Sequence, residues 1–288
     1  MNEIRTNPLT GKRIIFSPDR MKRPQDFNFS SKKISNKNCP FCPGNEGKTP
    51  KELFRLGGKK WKTRVIYNAF PIVKPEGKAF GYHEIVIESP DHFSNFTNKS
   101  HVKNTFKTYY QRYMELSRMK KIKHISIFKN YGKEAGASLT HPHSQIMAIS
   151  FMPKEMAIEI KNTRKMKKIL DDETNSKRLI FEDKNVVVFA PYFSEVAYEV
   201  WILPKKKARN ILHADIDSLA TAVNKIIKKM KKVLGDFSYN MILKQSIKKD
   251  YHMRIMIRPR LEIPAGFEID TGVSVNTALP EKVAEYLR

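Results

Sequence analysis

The stretch YNAFPIVKPEGKAFGYHEIVIESPDH, residues 67–92, has a weak counterpart in DKNVVVFAPYFSEVAYEVWILPKK, residues 183–206. Each stretch contains an extended apolar segment with a proline, then a turn, and then an alternating segment that closes on Pro90 or Pro204. The alternating segments, Tyr-His-Glu-Ile-Val-Ile and Tyr-Glu-Val-Trp-Ile-Leu, are typical of β-strands. The repetition indicates that the chain contains two copies of one module.

The elements predicted after each stretch follow the same order. Apolar residues recur at helical spacing over 101–121 and again over 214–234, so each copy has one predicted helix. Two predicted strands follow each helix, HISIFKN and HSQIMAIS in the first copy and YNMILKQ and HMRIMIRP in the second. We therefore predict an α+β fold of two tandem domains, residues 1–170 and 171–288, with antiparallel sheets that carry helices.

Length and composition indicate a globular protein. Hydrophobic residues make up 40% of the 288 residues and aromatic residues 10%, which excludes a disordered chain. No stretch approaches the roughly 18 uncharged apolar residues of a membrane helix, so no membrane partner is expected. The first residues, MNEIRTNP, lack the apolar core of a signal peptide, and we expect a cytoplasmic protein.

The formal net charge of +25 raises the question of nucleic-acid binding, because clustered lysines and arginines release counterions from phosphate backbones. The basic residues are spread along the chain, however, and the densest runs, NTRKMKKIL and NKIIKKMKKVLG, are typical of solvated helices. Neither run contains a recognisable DNA- or RNA-binding motif. We therefore expect no nucleic-acid partner but a small polyphosphate substrate, which a positive field attracts.

The segment KNYGKEAGASLTHPHSQ combines a glycine-rich loop with the motif H-x-H-x-Q. Gly132 and Gly136 allow backbone N–H groups to approach an anion closely, as in phosphate-binding loops. The alternation of a strand places His141, His143 and Gln145 on one face. The three side chains can therefore act on one site beside a bound phosphate.

His143 is the candidate nucleophile. Neutral imidazole attacks phosphorus at physiological pH, and its second ring nitrogen can be held by a hydrogen-bond acceptor. Gln145 donates hydrogen bonds to a phosphoryl oxygen but supplies no proton, so it stabilises a transition state without acting as a general acid. This combination favours a leaving group that needs no protonation, such as a sugar phosphate or inorganic phosphate. It predicts group transfer rather than hydrolysis.

Cys39 and Cys42, the two cysteines of the chain, stand at C-x-x-C spacing in NCPFCPGNEG. Two cysteines exclude a disulfide-rich scaffold, and the flanking prolines disfavour a redox pair, so zinc or two ordinary thiols are left. Zinc requires four ligands, and two histidines have to complete the site. We predict one structural Zn²⁺ bound by Cys39, Cys42, His92 and His141. On spacing alone, three other histidines compete with His92, namely His83, His101 and His124.

These residues belong to a longer series of motifs that resembles the galactose-1-phosphate uridylyltransferase family, a branch of the histidine triad superfamily. The resemblance covers nearly the whole chain, and the motifs occur in the family's order. They are RTNPLTGKRIIFSPDRMKRP, CPFCPGNE, RVIYNAFP, ESPDH, FKNYGKEAGASLTHPHSQ, PYFSEVAYEVWILPK and GFEIDTGVSVN. The resemblance implies two tandem histidine-triad-like domains, the second of them catalytically degenerate, and a homodimer.

The activity implied by the resemblance is that of a UDP-glucose–hexose-1-phosphate uridylyltransferase, a ping-pong nucleotidyl transfer between a nucleotide sugar and a sugar phosphate in galactose metabolism. His143 matches the nucleophile that becomes nucleotidylated, and Gln145 matches the amide that contacts the phosphoryl group. The implied substrate contacts are Arg20 and Arg23 for the sugar phosphates, Phe41, Asn68 and Phe70 for the nucleoside, Asn130, Gly136 and Ser138 for the phosphates, and Phe267 and Glu268 for the hexose.

Three departures from the family pattern leave an adenylyltransferase open, either an ADP-glucose phosphorylase or an adenylylsulfate:phosphate adenylyltransferase. Ala69 stands where well-known uridylyltransferases often have an aspartate for the ribose hydroxyls. The second-copy strand with Arg254 and Met256 lacks the histidines that bind a second metal in some members, although Glu159 matches a carboxylate of that site. The tail AGFEIDTGVSVN resembles the branch that acts on ADP-glucose more than the galactose enzymes.

Overall fold

The computed structural model describes residues 2–19, 38–248 and 250–288, which form thirteen strands and six helices. The strands are β1 (Glu3–Thr6), β2 (Arg13–Phe16), β3 (Glu52–Leu56), β4 (Thr63–Tyr67), β5 (Gly81–Ile87), β6 (His124–Tyr131), β7 (His143–Ile149), β8 (Leu179–Glu182), β9 (Val186–Phe189), β10 (Val200–Pro204), β11 (Tyr239–Lys244), β12 (Arg254–Pro259) and β13 (Ser274–Asn276). The helices are α1 (Lys99–Ser117), α2 (Lys154–Lys161), α3 (Lys165–Thr174), α4 (Ile216–Leu234), α5 (Gly266–Thr271) and α6 (Pro280–Leu287).

The two long helices, α1 and α4, have ends that the sequence specifies. Asn98 and Asp215 each accept hydrogen bonds from two backbone N–H groups in the first turn that follows them. Helix α4 ends at Gly235, whose φ of 74° ordinary side chains rarely adopt. The two helices pack against each other and share one apolar core with the sheet. None of the helices in the described residues combines the length and apolar composition that a membrane span requires.

Ten strands form one antiparallel sheet, in the order β3-β4-β5-β7-β6-β11-β12-β10-β9-β8. The remaining three form a small sheet in which β2 lies between β1 and β13. The α+β class with antiparallel strand pairing is therefore confirmed, apart from the parallel pair of β2 and β13 in the small sheet, and the predicted helices and strands are present in the predicted order. The large sheet consists of two groups of five strands, β3-β4-β5-β7-β6 and β8-β9-β10-β12-β11, each written from its edge inwards. The two groups have the same order along the chain, and β6 and β11 meet at the centre.

Strand β7 lies between β5 and β6, and its register determines which side chains share a face. His143 lies opposite Ile87, and Gln145 lies opposite Ile85 in β5 and Phe128 in β6. Ser144 and the other alternate residues point to the opposite face, which is covered by the helices. His143 and Gln145 are thus neighbours on the sheet face away from α1.

The corresponding face of the other half of the sheet is closed by a second apolar cluster. Residues from the small sheet and from α3 pack there against β9, β10 and β12. The buried members include Phe16, Ile169, Phe189, Trp201 and Met256. That face is therefore filled by side chains of this chain.

Candidate active site and metal centre

Four potential metal ligands meet beside the start of β7. Cys39 and Cys42 lie in a turn, His92 follows β5, and His141 precedes β7. Their ligand atoms all lie within 4.8 Å of one another, and Cys42 Sγ is 3.2 Å from His92 Nδ1 and 3.5 Å from His141 Nδ1. Two thiolates and two imidazoles are the donor set of structural zinc sites. The prediction of a Cys2His2 site for one metal ion is thereby confirmed.

Hydrogen bonding and burial determine the tautomer and the protonation state of the ligands in this cluster. His141 Nε2 donates to the Ser89 carbonyl oxygen over 2.8 Å, which leaves Nδ1 without a proton and directed at Cys42. Burial is the main cause that lowers the pKa of His141 to about 4, so the imidazole is neutral, as metal ligation requires. Burial and the neighbouring Cys39 raise the pKa of the Cys42 thiol to about 11, and a metal ion counteracts this shift because it binds the thiolate.

His143 is buried next to this cluster and is held in one orientation. Its Nδ1 donates to the backbone oxygen of His141 over 2.9 Å, so Nε2 carries a lone pair. Phe41 packs edge-on against the ring, with 5.5 Å between centroids, which restricts ring rotation. Burial is the main cause that lowers the pKa of His143, and Lys129 acts in the same direction. The imidazole is therefore neutral and oriented as a nucleophile requires.

Gln145 is oriented by a hydrogen bond from the neighbouring strand. Its Oε1 lies 2.8 Å from Nε2 of His83 in β5. Because Ile85 lies opposite Gln145, His83 is the diagonal neighbour of Gln145 on the same face of the sheet. With its oxygen engaged in this way, Gln145 has its amide nitrogen left to donate to a ligand.

The loop between β6 and β7 contains two glycines in the left-handed region, Gly132 with φ 84° and Gly136 with φ 81°. A Cβ at Gly132 would lie 1.9 Å from Ser238 Oγ, so the close approach to β11 requires glycine there. Gly136 and the exposed Ser138 lie in the part of this loop that leads to His141. The loop backbone is therefore exposed on the approach to the nucleophile.

Asn240 in β11 supports this loop from the other half of the sheet. It lies directly opposite Asn130 in β6. Its amide nitrogen donates to Asn130 Oδ1 and to the Ala135 carbonyl oxygen, both over 2.9 Å. The oxygen of Asn130 is thereby engaged, and its amide nitrogen remains as a donor for an anion in the loop.

The segment after β4 is connected to the same group of residues. Asn68 Oδ1 accepts from the Phe70 N–H over 2.9 Å, and Asn68 Nδ2 lies 3.1 Å from His83 Nε2. The Phe70 side chain is 89% exposed, so its ring is free to stack on a ligand. Of the residues predicted to hold the nucleoside, Phe41 contacts His143 directly and Asn68 is linked to Gln145 through His83.

The remaining predicted site residues fall into two pairs. Arg20 and Arg23 lie outside the described residues. Phe267 and Glu268 lie in α5, and in the described ranges no hydrogen bond joins them to the H-x-H-x-Q motif. Glu268 accepts from the Ala265 N–H over 2.7 Å and lines a cavity of about 260 Å³ between α5 and β12.

His83 and Asn240 are two residues of the site that the sequence did not reveal as such. On spacing alone, His83 is a rival zinc ligand, but it alternates with Ile85 and Ile87 and therefore shares their face of β5. That alternation was a usable signal. Asn240 offered none, because its contact with Asn130 depends on the pairing of β6 with β11, which joins distant parts of the chain.

In the second half, Arg254 has the strand position that corresponds to His143. Its guanidinium lies 4.2 Å from the centre of the Trp201 ring. It also forms a two-point ion pair with Glu159, with distances of 2.9 and 3.0 Å, and the Tyr251 hydroxyl donates to the same carboxylate. Among the described residues, the Cys2His2 cluster is the one group of at least three His, Cys, Asp or Glu ligands placed to hold a metal.

Comparisons with known proteins agree with this geometry. The family described as "Domain of unknown function (DUF4921)" matches residues 88–287, and the "DUF4931 N-terminal domain" matches residues 22–152. An ADP-glucose phosphorylase from Arabidopsis thaliana is 33% identical over 324 aligned positions, which cover 99% of this chain and 92% of that protein. A galactose-1-phosphate uridylyltransferase from Thermotoga maritima is 27% identical over 100% of this chain and 98% of that protein.

The structure is also similar to the crystal structure of an ADP-glucose phosphorylase from Arabidopsis thaliana with bound ADP-glucose. The TM-score is 0.89 at 31% identity, and the match covers 100% of this chain and 99% of the other. The chain belongs to the galactose-1-phosphate uridylyltransferase family, and its residues 88–287 to DUF4921. It is therefore a nucleotidyltransferase of this family. The Cys2His2 cluster agrees with the structural zinc of the family, and the similarity to an ADP-glucose phosphorylase agrees with the features of the tail.

Proposed function

We propose that the protein transfers a nucleotidyl group from a nucleotide sugar through a covalent intermediate on His143. The observation that carries this proposal is the orientation of the buried His143 ring, whose Nδ1–H is held by the His141 carbonyl so that Nε2 is the nucleophilic atom. We assign the amide nitrogens of Gln145 and Asn130 as the donors to the developing phosphoryl charge.

In the first step, His143 Nε2 attacks the α-phosphorus of the donor, and the bond from this phosphorus to the bridging oxygen breaks. The sugar 1-phosphate leaves as an anion and needs no proton, which suits a site whose nearest amide, Gln145, is not an acid. The ring keeps its proton on Nδ1, so the intermediate is a nucleotidyl-imidazolium stabilised by the His141 carbonyl oxygen. In the second step, an oxygen of the acceptor phosphate attacks the same phosphorus, and neutral imidazole leaves.

The donor that we propose is ADP-glucose, with inorganic phosphate as acceptor and glucose 1-phosphate and ADP as products. This choice is supported by the likeness to an ADP-glucose phosphorylase along the whole chain, in sequence and in structure. It also agrees with Ala69, which departs from the aspartate that uridylyltransferases often have at this position. The nucleoside then depends on stacking and on backbone contacts in the segment around Asn68 and Phe70.

The second candidate is the UDP-glucose–hexose-1-phosphate uridylyltransferase reaction that the motifs imply. It uses the same nucleophile and the same phosphate loop, and differs in the base and in the acceptor. The whole-length similarity to the uridylyltransferase from Thermotoga maritima favours it.

We also propose that the chain consists of two tandem histidine-triad-like domains, residues 1–170 and 171–288, the second without catalytic activity. The element order of the large sheet, which is the same from both edges, supports the two domains, and the proposed boundary lies within α3. The buried Arg254–Glu159 pair supports the loss of activity in the second domain.

We also propose a homodimer in which each copy completes the hexose site of the other. It is supported by a cluster of exposed apolar side chains around α5, because a contiguous apolar surface favours association. The members are Leu261, Ile263, Phe267 and Ile269, with exposed fractions from 41% to 75%. Phe267 and Glu268 are then available to a hexose in the site of the second copy.

Mass spectrometry of the intact protein tests the proposed reaction. After incubation with ADP-glucose, we expect an added mass of one AMP group on His143, and its loss when phosphate is supplied. His143→Ala should take no label and lose several powers of ten in rate, each equal to about 1.4 kcal/mol of barrier. A UMP adduct from UDP-glucose alone would establish the second candidate, and the absence of any adduct from all nucleotide sugars would refute both.

A further inference from the structure

His83 hydrogen-bonds two parts of the site with its two ring nitrogens. Nε2 lies 2.8 Å from Gln145 Oε1, and Nδ1 lies 3.2 Å from the backbone nitrogen of Ile72. The ring is 3% exposed, and the amide nitrogen of Asn68, Nδ2, lies within hydrogen-bond distance of both ring nitrogens. The side chain therefore connects the phosphoryl-contacting amide with the segment after β4.

The contact with Ile72 determines the tautomer of His83. A backbone N–H only donates, so Nδ1 has to be the acceptor, and a neutral imidazole then carries its proton on Nε2. Burial is the main cause that lowers the pKa of His83, which keeps the ring neutral. The proton on Nε2 points at Gln145, and it can be accepted there by the carbonyl oxygen but not by the NH2 group.

The two ends of the Gln145 amide have opposite effects on a phosphoryl group. The NH2 end donates to the phosphoryl oxygens as their charge grows, whereas the carbonyl end repels them. An unsupported amide can turn by 180° about its last bond, since both orientations fill the same space. A fixed donor at His83 Nε2 favours the orientation in which the Gln145 carbonyl oxygen faces His83.

We infer that His83 is a positioning residue that fixes the Gln145 amide with its NH2 group towards the phosphoryl group. The inference rests on the proposed nucleotidyl transfer at His143. It gives His83 two roles that can be measured independently: the Nε2–H acts on the rate of phosphoryl transfer through Gln145, and Nδ1 acts on donor binding through the Ile72 segment.

Two substitutions divide these roles. In His83→Gln, the amide nitrogen stands near the position of Nε2 and still donates to Gln145, but the acceptor for Ile72 is lost. In His83→Asn, the shorter amide stands near the position of Nδ1 and still accepts from Ile72, but it cannot reach Gln145. We expect His83→Asn to lower kcat about 10-fold to 100-fold with little change in KM for the nucleotide sugar, since one such donor contributes about 100-fold to 1,000-fold. We expect His83→Gln to raise KM and retain kcat.

Three controls test whether these effects arise through Gln145 and the Ile72 segment and not from a general loss of structure. His124→Asn removes another buried imidazole, one that hydrogen-bonds neither Gln145 nor Ile72, and it should keep both constants near wild type. Zinc content and melting temperature should be alike in all three variants. In a Gln145→Ala background, His83→Asn should have no further effect on kcat, because a residue that acts through Gln145 has nothing left to act on.

The nitrogen NMR spectrum of the imidazoles gives a readout that does not depend on activity. We expect His83 to be the Nε2–H tautomer, with this proton lost to fast exchange in Gln145→Ala. An Nδ1–H tautomer would overturn the inference whether or not the protein is nucleotidylated. Equal kcat in His83→Asn and wild type would also overturn it. Failure of His143 to take any label, together with an Nε2–H tautomer, would refute the proposed function and leave the orientation of Gln145 established.

Discussion

Arg254 and Met256 in β12 correspond to His143 and Gln145 in β7. Met256 lies opposite Trp201, and Gln145 lies opposite Ile85, which is the counterpart of Trp201 in the repeated stretches. An arginine stays protonated and cannot attack phosphorus. Its charge is matched by Glu159, and both side chains are 2% exposed. At this position the second half therefore contains an internal ion pair, whereas the first half contains the proposed nucleophile.

Removal of one partner of this pair should destabilise the protein strongly. Arg254→Met leaves the buried Glu159 with Lys244, at 3.3 Å, as its cationic partner and with the hydrogen bond from the Tyr251 hydroxyl, and we expect a loss of about 3–5 kcal/mol in the free energy of unfolding. The double variant Arg254→Met/Glu159→Leu should recover most of that loss, since a well-packed apolar pair avoids desolvation of charge. Urea denaturation measures both. A double variant as unstable as the single one would contradict this account.

The same pair gives a pH dependence of stability with a definite sign. Burial raises the pKa of the Glu159 carboxyl, but Arg254 and Lys244 more than offset this and lower it to about 2, below the unfolded value of about 4.3. The contribution is therefore present above about pH 4 and is lost as the pH falls towards 2. Glu159→Gln should be less stable at neutral pH and should lose less stability over that interval.

At the residue scale, the sequence was sufficient for the side chains whose positions follow from alternation or from spacing along one strand. His143 and Gln145 are of this kind, since a period of two places them on one face. The choice of His92 among four histidines was correct, but spacing alone did not require it. The face of His83 also follows from alternation, but its contact with Gln145 and the contact of Asn240 with Asn130 depend on the register between strands that are far apart in sequence.

At the element scale, the metal cluster joins the turn that carries both cysteines to two segments that are already paired with each other, since the Glu88 N–H donates to the Pro142 carbonyl oxygen. It links the turn of residues 38–42, the segment after β5 and the start of β7. A bound ion stabilises the folded state relative to an unfolded chain in which these ligands are dispersed. The helices and strands themselves could be predicted from periodicity, whereas the closing of this loop region depends on the metal.

Elemental analysis should therefore find one zinc per chain, and Cys39→Ser should reduce zinc content and melting temperature. A loss of about 2 kcal/mol corresponds to roughly 4–8 °C for a domain of this size. Some nucleotidylation of His143 should remain, since the ion would lie beside the proposed nucleophile and the ring is also held by the His141 carbonyl and Phe41. Ser94→Ala, a change near His101 outside the cluster, is the control. Zinc content unchanged in Cys39→Ser would contradict the ligand assignment.

At the scale of the whole molecule, the two halves meet along β6 and β11 in the middle of the ten-stranded sheet. The repeated element order could be read from the sequence, but not this junction, since neither strand carries a pattern that identifies its neighbour. This junction brings a side chain of the second half into contact with the loop between β6 and β7. The second half supplies Asn240, which donates to both Asn130 and the Ala135 carbonyl in the proposed phosphate loop of the first half.

Asn240→Ala should consequently slow nucleotidylation of His143 although Asn240 touches no part of the nucleophile. Loss of its two hydrogen bonds frees the Asn130 amide to turn its oxygen towards the phosphate, and we expect a decrease in rate of about 10-fold at saturating donor. Asn240→Asp should cost more, because a carboxylate replaces a donor with a negative charge beside two carbonyl oxygens.

Asn185→Ala provides the matched control, because its amide also lies in the second half but donates to Asp215 and Ser218, away from the loop. It should leave the rate of nucleotidylation unchanged. Single-turnover labelling at saturating nucleotide sugar distinguishes the variants, since it reports the first chemical step without product release. If Asn240→Ala and Asn185→Ala labelled His143 equally fast, the second half would support the sheet alone, and the phosphate loop would owe its geometry to its own glycines.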